Sequence, residues 1–279
     1  MCSLAAEPAK VDTSTPVGQA FARMYNFDFP GAHAILDHQI QLGPQNPLPY
    51  VVKATAFMFA ELHRLKILEI EFFEDDDKVV TRKKLKPDLK LREEFFRLIE
   101  TARQRANARL YAQADDREAT FTLCIAAGLV TDYAALIERR RFGSLVLARQ
   151  TQIYVRQLVA LQPPVYDAYL ATGSTEYVVG SLPFYLRWFV RIDNIEGSKQ
   201  KGMDTLRLVA ERGQYYGPFA RIVLAAINMR EKRFVEAERL LADVSAEYPE
   251  NPLLRQELQR ASELRRRASI ASSASGAQR

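Results

Sequence analysis

Histidine, cysteine and clustered carboxylates are the side chains of this 279-residue chain that could hold a metal or carry a proton, and their spacing argues against both. His33 and His38 stand five apart, so a helix sends them to different faces, and His63 has no companion at ligand spacing. Asp75, Asp76 and Asp77 open like a calcium loop but lack the glycine and the distal bidentate glutamate that such a loop needs. Cys124 lies in an apolar helical run and reads as a buried thiol; with Cys2 it makes no disulfide framework. Without a glycine-rich phosphate loop or a nucleophile elbow, the chain is expected to have no catalytic residue, no metal site and no cofactor.

The remaining chemistry is recognition. Residues 164–192 hold Tyr166, Tyr169, Tyr177, Phe184, Tyr185, Trp188 and Phe189, with Arg187 and Arg191 four apart. Such density has two readings: packing between adjacent elements, or a concave surface on which Tyr, Trp and Arg anchor a peptide. Dipping of Leu182–Phe189 into a membrane is weakened by Pro183, which breaks the helix.

Charge adds little. Lys and Arg total 39 against 34 Asp and Glu, a net +5, which serves solubility. The densest cluster is mixed: Glu71, Glu74 and Asp75–Asp77, then Lys78, Arg82, Lys83, Lys84 and Lys86. It lacks aromatics for base stacking, and its acidic half repels phosphate, so nucleic acid is not an expected partner. Arg139, Arg140 and Arg141 form a basic knot that suits a helix end. No run near 20 apolar residues offers a membrane span.

The elements that position these residues are helices. A 48% hydrophobic composition with only 12 Gly and 13 Pro leaves little room for a turn-rich β architecture. Phe29, Ala32, Leu36, Pro44, Asn46 and Pro47 recur at the same mutual spacing as Phe234, Ala237, Leu241, Pro249, Asn251 and Pro252. The first three of each set share one helix stripe, the alanine admits a close neighbour, and proline then stops the helix. Weaker units follow from periodicity: a helix over about 117–140 paired with Thr151, Val155 and Leu158 before Pro163, then one opening at Tyr166, Tyr169 and Leu170 paired with Gly202, Leu206, Val209 and Ala210, which ends at Gly213. Leu254, Leu258, Ala261 and Leu264 make an amphipathic cap.

These residues resemble the tetratricopeptide repeat, in which antiparallel helix pairs of about 34 residues stack into a superhelix. The match is best over 16–47 and 218–252. The resemblance implies an all-α, right-handed solenoid over 15–266 with a capping helix at 253–266; residues 1–14 and 268–279, rich in Ala, Ser, Pro and Thr, bury too little to offset ordering entropy and are expected to be unstructured tails, the C-terminal one opening at about 267. It also implies a groove lined by first helices: Val17, Phe21, Met24 and Tyr25 in the opening unit, and Phe219, Ile222, Ala226, Met229 and Arg230 in the closing one. These are mostly apolar, and Val17 and Phe21 stand where a clamp for acidic chaperone tails would begin, so an apolar or aromatic ligand is expected instead.

The expected function is therefore a non-catalytic, monomeric scaffold that binds a protein or peptide through Phe21, Tyr25, Tyr166, Tyr169, Tyr177, Arg187, Trp188, Tyr216 and Phe219. Self-association through an apolar face is the main alternative; a lipid-binding cradle and a cryptic enzyme rank below it. The sequence as written reads as cytoplasmic, although Leu4–Ala9 has the small-residue character of the end of an export signal.

Overall fold

The structure, a computed structural model, describes residues 8–70, 86–181 and 197–276. Cys2, the charged cluster from Glu71 to Lys84, and Arg187, Trp188 and their aromatic neighbours from Phe184 to Arg191 lie outside the described residues.

Among the described residues all regular structure is helical. The α-helices are α1 (Pro16–Tyr25), α2 (Phe29–Leu42), α3 (Leu48–Arg64), α4 (Leu89–Ala112), α5 (Arg117–Asp132), α6 (Arg141–Ala160), α7 (Tyr169–Ser181), α8 (Lys199–Arg212), α9 (Gly217–Arg230), α10 (Phe234–Glu247) and α11 (Pro252–Gly276). A π-helical turn, Tyr133–Ile137, extends α5, and a short 3-10 turn, Tyr166–Ala168, leads into α7. Helices pack chiefly on their sequence neighbours, α3 also meeting α5. Tyr177–Gly180, which has a β-like composition, is helical within α7.

The echoed residues occupy equivalent places. Phe29 and Phe234 each open a helix, and Ala32, Leu36, Ala237 and Leu241 are fully buried. Before each phenylalanine the chain makes the same turn: Phe27 and Lys232 take positive φ, and their amides bond back to Met24 and Met229, while those of Asp28 and Arg233 reach Arg23 and Asn228. After each helix the asparagine starts the next one. Asn46 Oδ1 accepts from the Leu48 amide at 3.1 Å, and Asn251 Oδ1 from those of Leu253 and Leu254 at 3.0 and 3.2 Å. Close approach in the central pair is by glycine: a Cβ on Gly202 would lie 2.6 Å from the Tyr177 nitrogen and 2.8 Å from the Gly173 oxygen. Gly173 thus sits inside α7 without interrupting it.

The ends depart from the sequence expectation. In a solenoid each unit meets only its neighbours, but here the opening unit is bonded to the closing one. Tyr25 donates its hydroxyl to the Tyr215 carbonyl at 2.9 Å, and Asn251 Nδ2 donates to the Tyr25 carbonyl at 2.7 Å. Phe21 stacks on Tyr215 with ring centroids 5.1 Å apart and meets Tyr216 edge-on at 5.3 Å, while Tyr25 tilts against Tyr248 at 5.0 Å. Such pairs contribute about 0.5–1.5 kcal/mol each beyond area burial.

The opening segment, expected to be unstructured, joins this closure from residue 8 onward. The Ala9 amide donates to the Ala210 carbonyl at 3.0 Å, the Ala9 carbonyl accepts from Arg221, and Val11 is buried. One backbone bond, one bond from the Arg221 side chain and one apolar anchor offset the ordering entropy that small residues alone would not. At the other end α11 continues to Gly276, past the expected boundary at 267, with an Arg267–Glu263 pair one turn apart at 3.9 Å.

Among the described residues one helix, Arg117–Ile137, is long and apolar enough to cross a membrane, but it is mostly buried. Its neighbours α4 and α6, with α3, make it the core helix of the body. Across from it, Glu61 accepts from Arg64 at 2.7 and 2.8 Å and from the Asp88 amide at 2.9 Å, tying the end of α3 to the start of α4.

Candidate functional site

The sequence expects a groove along α1 and α9, and the structure fills that place with the molecule itself. Phe21, Met24 and Tyr25 are buried, Phe21 against Tyr215 and Tyr216 and Tyr25 against Tyr248, so they pack in the core. Tyr177 is also buried, its hydroxyl donating to Glu231 at 3.1 Å. Ile67 and Ile70, which follow α3, are buried as well, and the Ile70 amide donates to Glu257 Oε1 at 3.0 Å. This return, made of turns and bends, borders a small space of about 50 Å³ beside Phe219, Ile222 and Leu254. The alternation of apolar positions shows a face as apolar; it does not show which distant segment covers it.

Of the other expected residues, Tyr166 and Tyr169 are half-buried neighbours, with ring centroids 6.5 Å apart. Arg212 stands over the Tyr166 ring at 5.4 Å and donates to its hydroxyl at 3.0 Å. Tyr216 and Phe219 stand elsewhere, in the wall of a cavity, and Phe219 also stacks on Phe59 at 5.4 Å.

That cavity, of about 180 Å³ and partly open to solvent, lies between α3, α5, α6 and α7, with the start of α9 at its side. Its wall is mainly apolar, from residues such as Met58, Leu129, Leu136 and Leu170. Among its polar residues, which include Thr55, Gln152 and Thr175, three differ in how they are satisfied.

The first is Asp167, whose carboxylate accepts from the amides of Gln214 (2.9 Å), Tyr215 (3.1 and 3.3 Å) and Tyr216 (2.8 Å). It thereby fastens the turn before α7 to the start of α9, and its acceptor capacity is spent there. Burial raises its pKa to about 6, against the lowering pull of the three amides. Gly213 is required beside it, because a Cβ there would lie 2.7 Å from Asp167 Oδ1.

The second is Asp132, at the junction of α5 and the π turn. Its side chain reaches solvent, yet protein crowds it enough that desolvation raises its pKa to about 6. Among the described residues it has no ion pair or hydrogen bond to its carboxyl. The third is Thr151, which is 4% exposed and whose hydroxyl has no partner. Beside it, Gly128 stands in mid-helix, where an added Cβ would meet only the Thr151 methyl at 4.0 Å.

Cys124 also lines this wall; burial pushes its thiol up to about 12, so it is protonated and unreactive at neutral pH. No group of three His, Cys, Asp or Glu side chains among the described residues is placed to hold a metal. His33 packs on Phe57 at 4.4 Å, and His63 on Phe27 at 4.5 Å.

Sequence reasoning missed Asp132, Asp167 and Thr151. A signal existed for the first: Asp132 is an acid inside the apolar run from Ala119 to Ile137. Nothing local marks Asp167, whose partners lie 47–49 residues away. Comparison of the chain with protein families, with curated proteins and with solved structures finds no match.

Proposed function

We propose that the chain is a non-catalytic scaffold, a tetratricopeptide-like array of helix pairs whose first and last units have closed on each other, and that it binds an extended segment of another polypeptide at the α3–α5–α6–α7 cavity. The observation that carries this reading is the cavity wall itself: an apolar surface open to solvent, with an unpaired carboxyl at Asp132 and with Tyr216 and Phe219 alongside. Pockets of this composition, mainly apolar with a few placed polar groups, are the usual form of binding sites. The closure of α1 on α9 and α10 supports the relocation of the site, since it removes the face along which such arrays ordinarily hold peptides.

The test is a photo-reactive benzoylphenylalanine placed at Phe219, with a second at Tyr111, which is 96% exposed and remote from the cavity, as control. Irradiation in the native host is expected to give an adduct with a segment of a different polypeptide at position 219 and none at 111. Adducts only with a second copy of this chain would replace the scaffold reading by self-association; equal labelling at both positions would remove the cavity as the site.

A further inference from the structure

Resting on that reading, we infer that the segment bound at the cavity presents a lysine, its aliphatic stem lying between α5, α6 and α7 and its ammonium meeting Asp132.

The argument is one of complementarity. The buried carboxyls of the body hold cations or amides: Glu61 holds Arg64 and the Asp88 amide, Glu176 meets Lys201 through Oε1 at 2.8 Å while its Oε2 has no hydrogen bond, and Glu257 accepts from Ile70. Asp167, in the same wall as Asp132, is consumed by three amides. Of these two cavity carboxyls only Asp132, whose side chain reaches solvent, has no partner among the described residues, so its acceptor capacity is open to an incoming cation.

The Thr151 hydroxyl in the same wall is a second acceptor left unused. A lysine ammonium is compact and carries three donors, which one carboxylate and one hydroxyl nearly satisfy. An arginine fork presents five donors in a plane and would leave most of them bare. The apolar remainder suits a methylene chain: a cavity of about 150 Å³ holds a benzene, and this one measures about 180 Å³. Gly128 keeps that space open, since any larger residue in mid-α5 would project into it.

The experiment is a calorimetric titration of the full chain at pH 7.5 with capped pentapeptides differing only at the centre, lysine against norleucine, and with n-hexylamine. It is repeated on Asp132→Asn, which keeps the shape, and on Gly128→Leu, which fills the space; circular dichroism melts establish that both are folded. The lysine peptide is expected to bind at least tenfold more tightly than the norleucine peptide. Asp132→Asn should erase that ratio, and Gly128→Leu should abolish binding of both. Equal binding of the two peptides would overturn the lysine assignment and leave the segment-binding reading standing. Asp132-dependent binding of hexylamine with neither peptide bound would overturn the segment-binding reading and the lysine with it, in favour of a free amine. No binding of any probe would overturn both.

Discussion

The hydroxyl of Tyr25 donates to the carbonyl of Tyr215 at 2.9 Å, joining residues 190 positions apart, and this bond holds the first helix pair of the protein against the last. Tyr25 is therefore structural. Tyr25→Phe removes one buried hydrogen bond and is expected to lower unfolding free energy by about 1 kcal/mol. Tyr25→Ala also empties the space beside Phe21 and Tyr248, with an expected loss of about 3–5 kcal/mol. Urea unfolding followed by circular dichroism measures both; a negligible effect of Tyr25→Ala would mean that the ends are not joined in solution.

The two echoed asparagines make the same helix start but do unequal work. Asn46→Ala should cost about 1 kcal/mol, the loss of one cap. Asn251→Ala should cost more, about 2–3 kcal/mol, because Asn251 also donates to the Tyr25 carbonyl and is buried. Equal losses in thermal or urea melts would contradict the closure geometry.

Two helical glycines should respond with opposite sign. Gly128→Ala meets only the Thr151 methyl at 4.0 Å and should stabilise by about 0.5–1 kcal/mol through helix propensity. Gly202→Ala pushes a Cβ into the backbone of α7 and should destabilise by about 1–3 kcal/mol. The difference in unfolding midpoint between the two variants reads this directly.

Asp132 sets a pH signature. Its folded pKa, about 6, lies above the ordinary 3.8, so between those values the native state binds more protons than the unfolded one. Its contribution to stability therefore falls as pH rises from about 4 to 6 and is constant above. Asp132→Asn carries no such dependence, so its stability relative to the wild type should rise across that window and then level off, with Asp167 and the buried Cys124 and Tyr216 common to both proteins. A flat difference from pH 4 to 7 would mean that Asp132 is ordinarily solvated.

Much of this fold was legible because it is written locally. The αR-to-αL turn at Phe27, the small Ala32 and the cap at Asn46 act within one helix pair, and the same pattern returns at Lys232, Ala237 and Asn251. The site was less legible. Phe21, Tyr25 and Tyr177 have the residue types of binding anchors, but aromatic side chains serve cores and surfaces equally, and these three are covered.

The amino-acid order by itself determined that the chain is helical and that two stretches repeat one pattern of stripe and stop, since caps, stops and stripes depend on residues within a few turns of each other. Only the tertiary structure decided that the first pair closes on the last, that Asp167 reaches the amides of Gln214, Tyr215 and Tyr216, and that Asp132 remains unpaired beside a cavity. Those outcomes depend on which distant surfaces meet. An apolar stripe favours burial without selecting its cover, and the cover here comes from the far end of the chain.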